Sequence, residues 1–156
     1  MADMISAKFE VKFNEKELKK IEALAGEGGE NPAMQRIVEA VVFRAKERSP
    51  RKKSGIKGDT VGGTNANSIE GKAFPKSGEV FTQSGYGGWL EVGTGLFGPH
   101  KRRVVSPTGK MMTWIGRDGV RVFAKSTKGM KAQPYLRPAL DAVKADLDNV
   151  LKGVLE

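Results

Sequence analysis

The sequence GYGGWLEVGTG occupies residues 85–95 and places glycines on both sides of a short run of large side chains. Tyr86, Trp89 and Leu90 are residue types that favour a pleated, half-buried surface. The glycines indicate a sharp turn of the backbone, or the close approach of another segment, at both ends. We therefore predict a strand here. Two roles fit it: a catalytic loop built around Glu91, or a strand that docks onto a neighbouring subunit.

Length and composition limit the classes of protein that this chain can represent. Its 156 residues predict a single domain over residues 1–156, large enough to bury a core. The absence of cysteine excludes a disulfide framework and a thiolate metal site. No apolar run approaches the roughly 20 residues that span a bilayer, and residues 1–13 lack a continuous apolar segment, so we expect neither a transmembrane helix nor a secretion signal. A cytosolic product fits these features.

The formal net charge of +9 is high for a chain of this size. Basic proteins attract nucleic acids and anionic surfaces through long-range, salt-sensitive fields. A solvated surface with a surplus of lysine explains the charge equally well. Charge alone therefore leaves both interpretations open.

Capping residues and apolar periodicity predict the helices. Asn14 is an N-cap for a short helix over residues 15–25, and Asn31 with Pro32 opens a second, longer helix. The apolar residues of the second helix share one face: Met34, Ile37, Val38, Val41, Val42 and Ala45. An apolar stripe from Leu136 to Val154 predicts a long amphipathic C-terminal helix over residues 134–155.

Alternation and turn residues predict the strands. Extended segments are expected at residues 7–13, 68–74, 79–83, 111–115 and 120–124, in addition to residues 85–95. Asp118 and Gly119 favour a tight hairpin turn between the last two of these segments. The predicted fold class is α+β, with an antiparallel sheet packed by a central helix and the long C-terminal helix, and with long basic loops.

Two segments lack any periodicity and read as loops. Residues 51–67 are rich in glycine, lysine and polar side chains, which predicts a long mobile basic loop. Residues 96–107 form the second predicted loop and contain Lys101, Arg102 and Arg103. Both loops lack the interleaved aromatic residues of a platform for single-stranded nucleic acid.

The sequence offers little support for an enzyme. His100 is the only histidine, which excludes multi-histidine metal sites, and its cationic neighbours disfavour the imidazolium. Glu91 has no second carboxylate within its own segment, so general acid–base catalysis there is weakly supported. The glycine clusters do not match nucleotide-binding spacings. We therefore predict no catalytic residue, no metal and no cofactor; a small hydrolase that uses His100 is the remaining enzymatic hypothesis.

Three segments, taken together, resemble a known family. SPRKKSGIKGDTVGGTNANSI (residues 49–69) looks like an expanded form of the family's segment SP-(x)-DTG-(x)-L-x-x-SI. GYGGWLEVGTG looks like its YAxxxExGT segment, with Gly87 in place of alanine, and AQPYLRPAL (residues 132–140) looks like its xPFLRPAL segment. The family comprises neck and tail-completion proteins of tailed bacteriophages, typified by the tenth gene product of a lambda-like phage.

This resemblance implies a structural protein that assembles into a ring at the head–tail junction or on top of the tail tube. Its expected partners are further copies of itself, head-completion or adaptor proteins and the tail tube protein, in the virion and, during assembly, in the host cytoplasm. The residues expected at subunit interfaces are Tyr86, Trp89, Glu91, Thr94, Tyr135 and Arg137. Core packing fits Tyr86 and Trp89 equally well, and Arg137 is expected to pair with a carboxylate such as Glu91.

A basic surface that faces a DNA-filled channel fits the same role. The residues expected to face DNA, without sequence specificity, are Arg51, Lys52, Lys53, Lys57, Lys101, Arg102 and Arg103. The alternative hypothesis is that these cations serve a basic nucleic-acid-binding module outside any virion, which predicts strongly salt-dependent binding to duplex DNA.

Overall fold

The computed structural model describes residues 8–11, 13–24, 31–50, 63–116 and 118–152, and it confirms the predicted α+β class. In chain order the elements are β1 (Lys8–Val11), α1 (Glu15–Glu22), α2 (Pro32–Arg48), α3 (Thr64–Asn67), β2 (Ile69–Ala73), β3 (Gly78–Thr82), α4 (Gly87–Val92), a 3-10 turn (Gly95–Phe97), β4 (Val104–Val105), β5 (Met112–Ile115), β6 (Arg121–Ala124), β7 (Ser126–Thr127), α5 (Leu136–Ala145) and α6 (Leu147–Lys152).

Both predicted N-caps are confirmed. The Asn14 side chain accepts the backbone N–H of Glu17 at 2.9 Å, and the Glu17 carboxylate accepts that of Asn14, which completes a capping box. The side chain of Asn31 accepts the N–H of Met34 at 3.1 Å. Its amide also donates to the carbonyl of Pro75 at 2.9 Å, so the cap fixes the start of α2 against the β2–β3 turn.

Helix α2 forms the centre of the fold. It packs against β2 and β3 and also against α5 and α6. The sheet has the antiparallel order β1-β3-β2. The predicted apolar face is buried in this layer: Met34, Ile37, Val38, Val41 and Ala45 are all core residues. Burial of each large apolar side chain stabilises the fold by about 1.5–3 kcal/mol, so this helix anchors both layers.

The C-terminal helix is shorter and less regular than predicted. It begins at Leu136 and is interrupted at Asp146 before α6 starts at Leu147. Only one residue separates the two helices, so the apolar stripe continues from α5 into α6, where Leu147 and Leu151 remain buried. Residues 153–156 of the predicted helix lie outside the described part of the chain.

The predicted strand at residues 85–95 is wrong. Residues 87–92 form the short helix α4, which ends at Gly93 with a φ of 80°. Six residues are too few for an apolar period to separate a helix from a strand, and the aromatic residues suggested the wrong one.

The two predicted loops also differ from expectation. Thr64–Asn67, at the end of the first loop, forms α3, whereas residues 51–62 lie outside the described residues. The second loop, residues 96–107, contains most of the 3-10 turn and the strand β4, which pairs with β7.

Both predicted hairpins are confirmed. β2 and β3 pair in register from Ile69↔Thr82 to Ala73↔Gly78. β5 and β6 form a separate two-stranded sheet, in register from Met112↔Ala124 to Ile115↔Arg121. Neither β5 nor β6 packs as extensively against any other helix or strand as against its partner strand. This hairpin therefore stands apart from the main core.

Candidate functional site

The carboxylate of Glu91 caps the N-terminus of α5. Its Oε2 accepts the backbone N–H of Tyr135 at 2.7 Å and that of Leu136 at 2.9 Å, and its Oε1 accepts that of Arg137 at 3.0 Å. Only 7% of Glu91 is exposed. The first turn of a helix has unpaired N–H groups and a partial positive charge, so a buried carboxylate there satisfies both. Glu91 is thus a structural cap.

The expected pairing of Arg137 with Glu91 takes a different form. The contact runs through the backbone N–H of Arg137, and the side chain of Arg137 is exposed. The position of Arg137 at a helix start suggested a pairing of its side chain with Glu91, whereas the carboxylate accepts three main-chain N–H groups. Arg137 therefore contacts Glu91 through its backbone and not through its side chain. This hydrogen bond still links α4 to the start of α5.

A second buried polar group is built around the side chain of Asn65 in α3. Its amide nitrogen donates to Ser49 Oγ at 2.9 Å. Its oxygen accepts the hydroxyls of Ser84 at 2.6 Å, Thr82 at 3.0 Å and Tyr135 at 3.4 Å. In the described part of the chain every buried side-chain nitrogen or oxygen has a hydrogen-bond partner. We call Ser49, Asn65, Thr82, Ser84 and Tyr135 the Asn65 cluster.

Tyr135 connects the two polar groups. Its side chain is fully buried, and burial raises the pKa of its phenol above the ordinary value. Hydrogen bonds with Asn65 and Thr82 oppose this shift, and the negative charge of Glu91 adds to it. The phenol therefore stays neutral and serves as a hydrogen-bond donor at physiological pH.

Gly87 allows α4 to approach the Asn65 cluster. A Cβ atom at this position would lie 2.7 Å from the hydroxyl of Tyr135 and closer still to atoms of Asn65 and Thr82. Any larger residue would push these groups apart. Gly87 therefore belongs to a tight contact in this chain.

The three segments that carry the resemblance meet at this point. Ser49 and Asn65 come from the first segment, Gly87 and Glu91 from the second, and Tyr135 from the third. They are joined by direct hydrogen bonds or by close packing. Ser49, Asn65, Gly87 and Glu91 are all buried, as is Tyr135. Sequence reasoning missed Asn65, because an asparagine within a glycine-rich stretch is typical of a turn.

A groove of about 920 Å³ opens beside α4. The loop that forms one wall is held by main-chain pairing: the N–H of Thr94 donates to Met130 O at 2.8 Å, and that of Leu96 donates to Lys128 O at 2.8 Å. Gly95 lies so close to Lys128 that a side chain would collide with its backbone. The lining residues are Trp89, Thr94, Gly95, Gly98, Pro99, His100, Arg102, Arg103, Val104, Val105, Trp114, Thr127, Gly129 and Met130.

The groove combines aromatic and cationic side chains. Trp89 of α4 and Trp114 of β5 line it together with Arg102 and Arg103. Arg103 Nε donates to Ser126 Oγ at 3.0 Å, which holds this guanidinium near β7. The residues that line the groove include no carboxylate. An aromatic and cationic surface of this kind fits an anionic ligand that has flat or apolar groups.

No sequence pattern predicted that the tryptophans and arginines of the groove would lie together. The tryptophans and arginines come from separate segments, so no local pattern joins them. Arg102 and Arg103 were identified as basic candidates, but the neighbouring aromatic residues were not; Lys101, the third candidate, is exposed and is not among the lining residues. Arg51, Lys52, Lys53 and Lys57, the other residues expected to face DNA, lie outside the described part of the chain.

The remaining residues of the expected interface occupy varied positions. Tyr86 is 43% exposed. Trp89 is half-buried in the groove wall, and Thr94 is half-buried, its hydroxyl accepting the N–H of Met130. Glu91 and Tyr135 have their side chains in the interior, where contact with another subunit would require them to be uncovered.

His100 lies at the exposed edge of the groove. Two arginines line the same groove, but no acidic residue does, so the lining offers nothing to orient the imidazole as a base. Within the described ranges, no group of three or more histidine or acidic residues is placed to hold a metal ion.

The β5–β6 hairpin presents a second exposed surface. Directly paired residues share a face of the sheet, so Thr113 and Phe123 lie beside Ile115 and Arg121. We call these four residues the outer hairpin face. Phe123 is 58% exposed and Ile115 is also exposed, with Val120 beside them at the turn. Trp114 lies on the opposite face, which meets the groove.

Comparison with known proteins finds no match: no family model matches the chain, and neither a curated protein nor a solved structure matches it significantly. Among the described residues, no helix is both long enough and apolar enough to cross a membrane.

Proposed function

We propose that this chain is a structural protein of a tailed bacteriophage or prophage virion and forms a cyclic homo-oligomeric ring at the head–tail junction. It acts there as a neck, tail-completion or tail-terminator component. Its partners are further copies of itself, head-completion or adaptor proteins and the tail tube protein. The proposal assigns no catalytic residue, metal or cofactor to the chain.

The meeting of the three motif segments carries this proposal. Asn65 of the first segment binds Ser49 and Tyr135, and Glu91 of the second segment binds the backbone of Tyr135 in the third. The motif residues thus belong to one connected set of contacts in the fold. This supports our interpretation of the three motifs as a family pattern.

The exposed hairpin supports an assembly role. A two-stranded hairpin is marginally stable in water unless another surface covers it. The outer hairpin face nevertheless exposes Ile115 and Phe123. Exposed apolar patches of this kind mark protein–protein contacts, and a ring needs such a surface on every subunit.

Cryo-electron microscopy of the purified protein and of virions tests the proposal. We expect rings with cyclic symmetry, and mass spectrometry should detect the chain in purified particles. Removal of the gene should leave heads and tails that do not join. A chain that is strictly monomeric and absent from purified particles would contradict the proposal.

The groove favours a second candidate function, nonspecific binding of nucleic acid. Trp89 and Trp114 supply surfaces for base stacking, and Arg102 and Arg103 supply cations for phosphates. The two predicted basic loops lack interleaved aromatic residues, whereas the fold brings aromatic and basic side chains together in the groove. Contact with packaged DNA in a ring, or an independent nucleic-acid-binding role, fits it.

Quenching of the tryptophan fluorescence by oligonucleotides tests this candidate. We expect single-stranded DNA to quench both tryptophans. Replacement of Arg102 and Arg103 by alanine should make the affinity less dependent on salt, because each phosphate that is no longer bound lowers the slope by about one unit. The matched control replaces Lys16 and Lys19, two exposed lysines of α1, by alanine. Equal weakening by both pairs would mean that only diffuse charge matters.

A further inference from the structure

The outer hairpin face is both apolar and cationic. Arg121 is paired with Ile115 and lies beside Phe123 on this face. Lys110 and Lys125, which flank the hairpin, are exposed as well. Together these residues make a patch of large apolar side chains with a positive border. A surface that covers it should offer an aromatic or aliphatic centre and carboxylates.

Helix α2 carries a surface with these properties. Phe43 is 63% exposed and points away from the core. Glu39 and Glu47 lie four residues before and after it, so each is about 6 Å along the helix on the same side. We call Glu39, Phe43 and Glu47 the Phe43 surface; two cations border it, the exposed Arg36 two turns before Phe43 and the half-buried Lys46. Both glutamates are exposed.

The carboxylates of the Phe43 surface are available for a partner. The ion pairs among the described residues join Lys8 to Glu79, Lys20 to Asp148, Arg44 to Asp146 and Lys76 to Glu22, and none of them includes Glu39 or Glu47. An aromatic side chain flanked by carboxylates complements an apolar patch flanked by cations.

The two surfaces belong to different parts of the fold. α2 packs against β2, β3, α5 and α6, whereas neither strand of the hairpin packs as extensively against any other helix or strand as against its partner strand. A ring of identical subunits requires two different complementary surfaces on each subunit, because one face of each copy meets the other face of the next. The outer hairpin face and the Phe43 surface meet this requirement.

We propose that the outer hairpin face of one copy of this chain packs on the Phe43 surface of the next copy. In this contact Phe123 and Ile115 surround Phe43, and Arg121 faces the carboxylates of α2. The inference rests on the proposed ring and names the surfaces that close it.

Two single-surface variants test the head-to-tail contact. Phe43→Lys places a cation opposite Arg121 and leaves the hairpin intact, and its pairing with both flanking glutamates keeps the helix. Phe123→Thr removes the aromatic anchor of the hairpin and leaves α2 intact, since threonine suits an exposed strand. We expect each variant alone to self-associate about 30-fold more weakly, the effect typical of a central aromatic anchor.

An equimolar mixture of the two variants gives the sharper result. One chain still has an intact hairpin and the other an intact α2 surface, so the mixture should form a heterodimer in sedimentation velocity and nothing larger. At concentrations low enough for the wild type to be monomeric, thermal melts of each variant should match the wild type, because both residues are exposed. If either variant assembles normally by itself, the contact is not hairpin to α2 and the inference is wrong.

Cross-linking provides an independent readout, since the chain has no cysteine of its own. Phe43→Cys and Phe123→Cys in one chain, treated with a short bismaleimide, should give a ladder of covalent oligomers. Either substitution alone should give none. Wild-type rings together with an absent ladder would refute this contact and leave the proposed function standing. A monomeric wild type, absent from virions, would instead contradict the proposed function.

Discussion

Glu91 Oε2 accepts the backbone N–H of Tyr135 at 2.7 Å, across 44 positions of sequence. Leu136 and Arg137 donate to the same carboxylate. α5 has no capping bond from the side chain at its own N-terminus, Tyr135. The start of α5 is therefore specified by a residue in a different helix.

Removal of this cap should strongly destabilise the fold. Glu91→Ala leaves two buried N–H groups and one partly buried N–H group without an acceptor, so we expect the free energy of unfolding to fall by about 2–5 kcal/mol. Glu91→Gln keeps one carboxamide oxygen and should cost about half as much. Urea denaturation at a fixed protein concentration measures both. Asp141→Ala, at an exposed site of α5, is the control and should change stability by less than about 0.5 kcal/mol. Equal midpoints for Glu91→Ala and the control would refute the capping role.

Two glycines of the same segment should differ in their tolerance of alanine. At Gly87 a Cβ atom collides with the Asn65 cluster, whereas at Gly85 it meets nothing within 4 Å. Gly85 does have a φ of 71°, which disfavours alanine by about 1–2 kcal/mol. We expect Gly87→Ala to cost clearly more than that, by thermal or urea unfolding. A larger effect for Gly85→Ala would contradict the close packing of α4.

The carboxyl of Asp146 should have a pKa below that of an ordinary aspartate. A hydrogen bond from the Asn149 side chain, followed by one from Arg44, holds the pKa of its carboxyl below the ordinary value. A carboxyl with a lowered folded-state pKa stabilises the fold above its unfolded pKa, and this contribution disappears as the pH falls through the folded value. Carbon-detected NMR titration should show that Asn149→Ala and Arg44→Gln each raise the pKa.

Asp148 supplies the control for this titration. Its pKa is lowered mainly by the hydrogen bond and charge of Lys20. Lys20→Met should therefore raise the pKa of Asp148 and leave that of Asp146 in place. Identical responses of both carboxyls to all three substitutions would mean that general charge, and not specific contacts, sets their titration.

The β5–β6 hairpin should be dispensable for folding and required for assembly. Val105 of β4 pairs with Ser126 of β7, so the chain ends left by removing residues 107–124 lie side by side. A short glycine linker can close this gap. We expect the shortened chain to melt within a few degrees of the wild type by circular dichroism, since neither strand of the hairpin packs as extensively against any other helix or strand as against its partner strand. Its oligomers should disappear in sedimentation; intact rings would contradict an assembly role for the hairpin.

The parts of the fold that follow local rules could be predicted from the sequence. Asn14 and Asn31 cap their helices because capping depends on residues a few positions apart. The buried face of α2 follows from a period that repeats over several turns. The β5–β6 turn follows from Asp118 and Gly119.

The candidate site depends on contacts that no local pattern encodes. α4 is a single short helix, so its residues fit a strand equally well. Asn65 acquires its role only when Ser49, Ser84 and Tyr135 are brought around it. Trp89 and Trp114 share a groove because separate segments fold together. The sequence identified Glu91 as unusual, but its partners lie far along the chain.

The long-range cap has a consequence for the order of events on the ribosome. Glu91 is synthesised before the backbone groups that it binds, and at 5–20 residues per second the interval is about 2–9 s. During that interval its carboxylate can form hydrogen bonds only with water. The core face of α2 is also not yet covered by α5 and α6. A product that stops short of α5 therefore leaves both exposed to cellular proteases. Synthesis of α5 and α6 therefore decides whether the chain folds into a complete subunit or is degraded as a fragment.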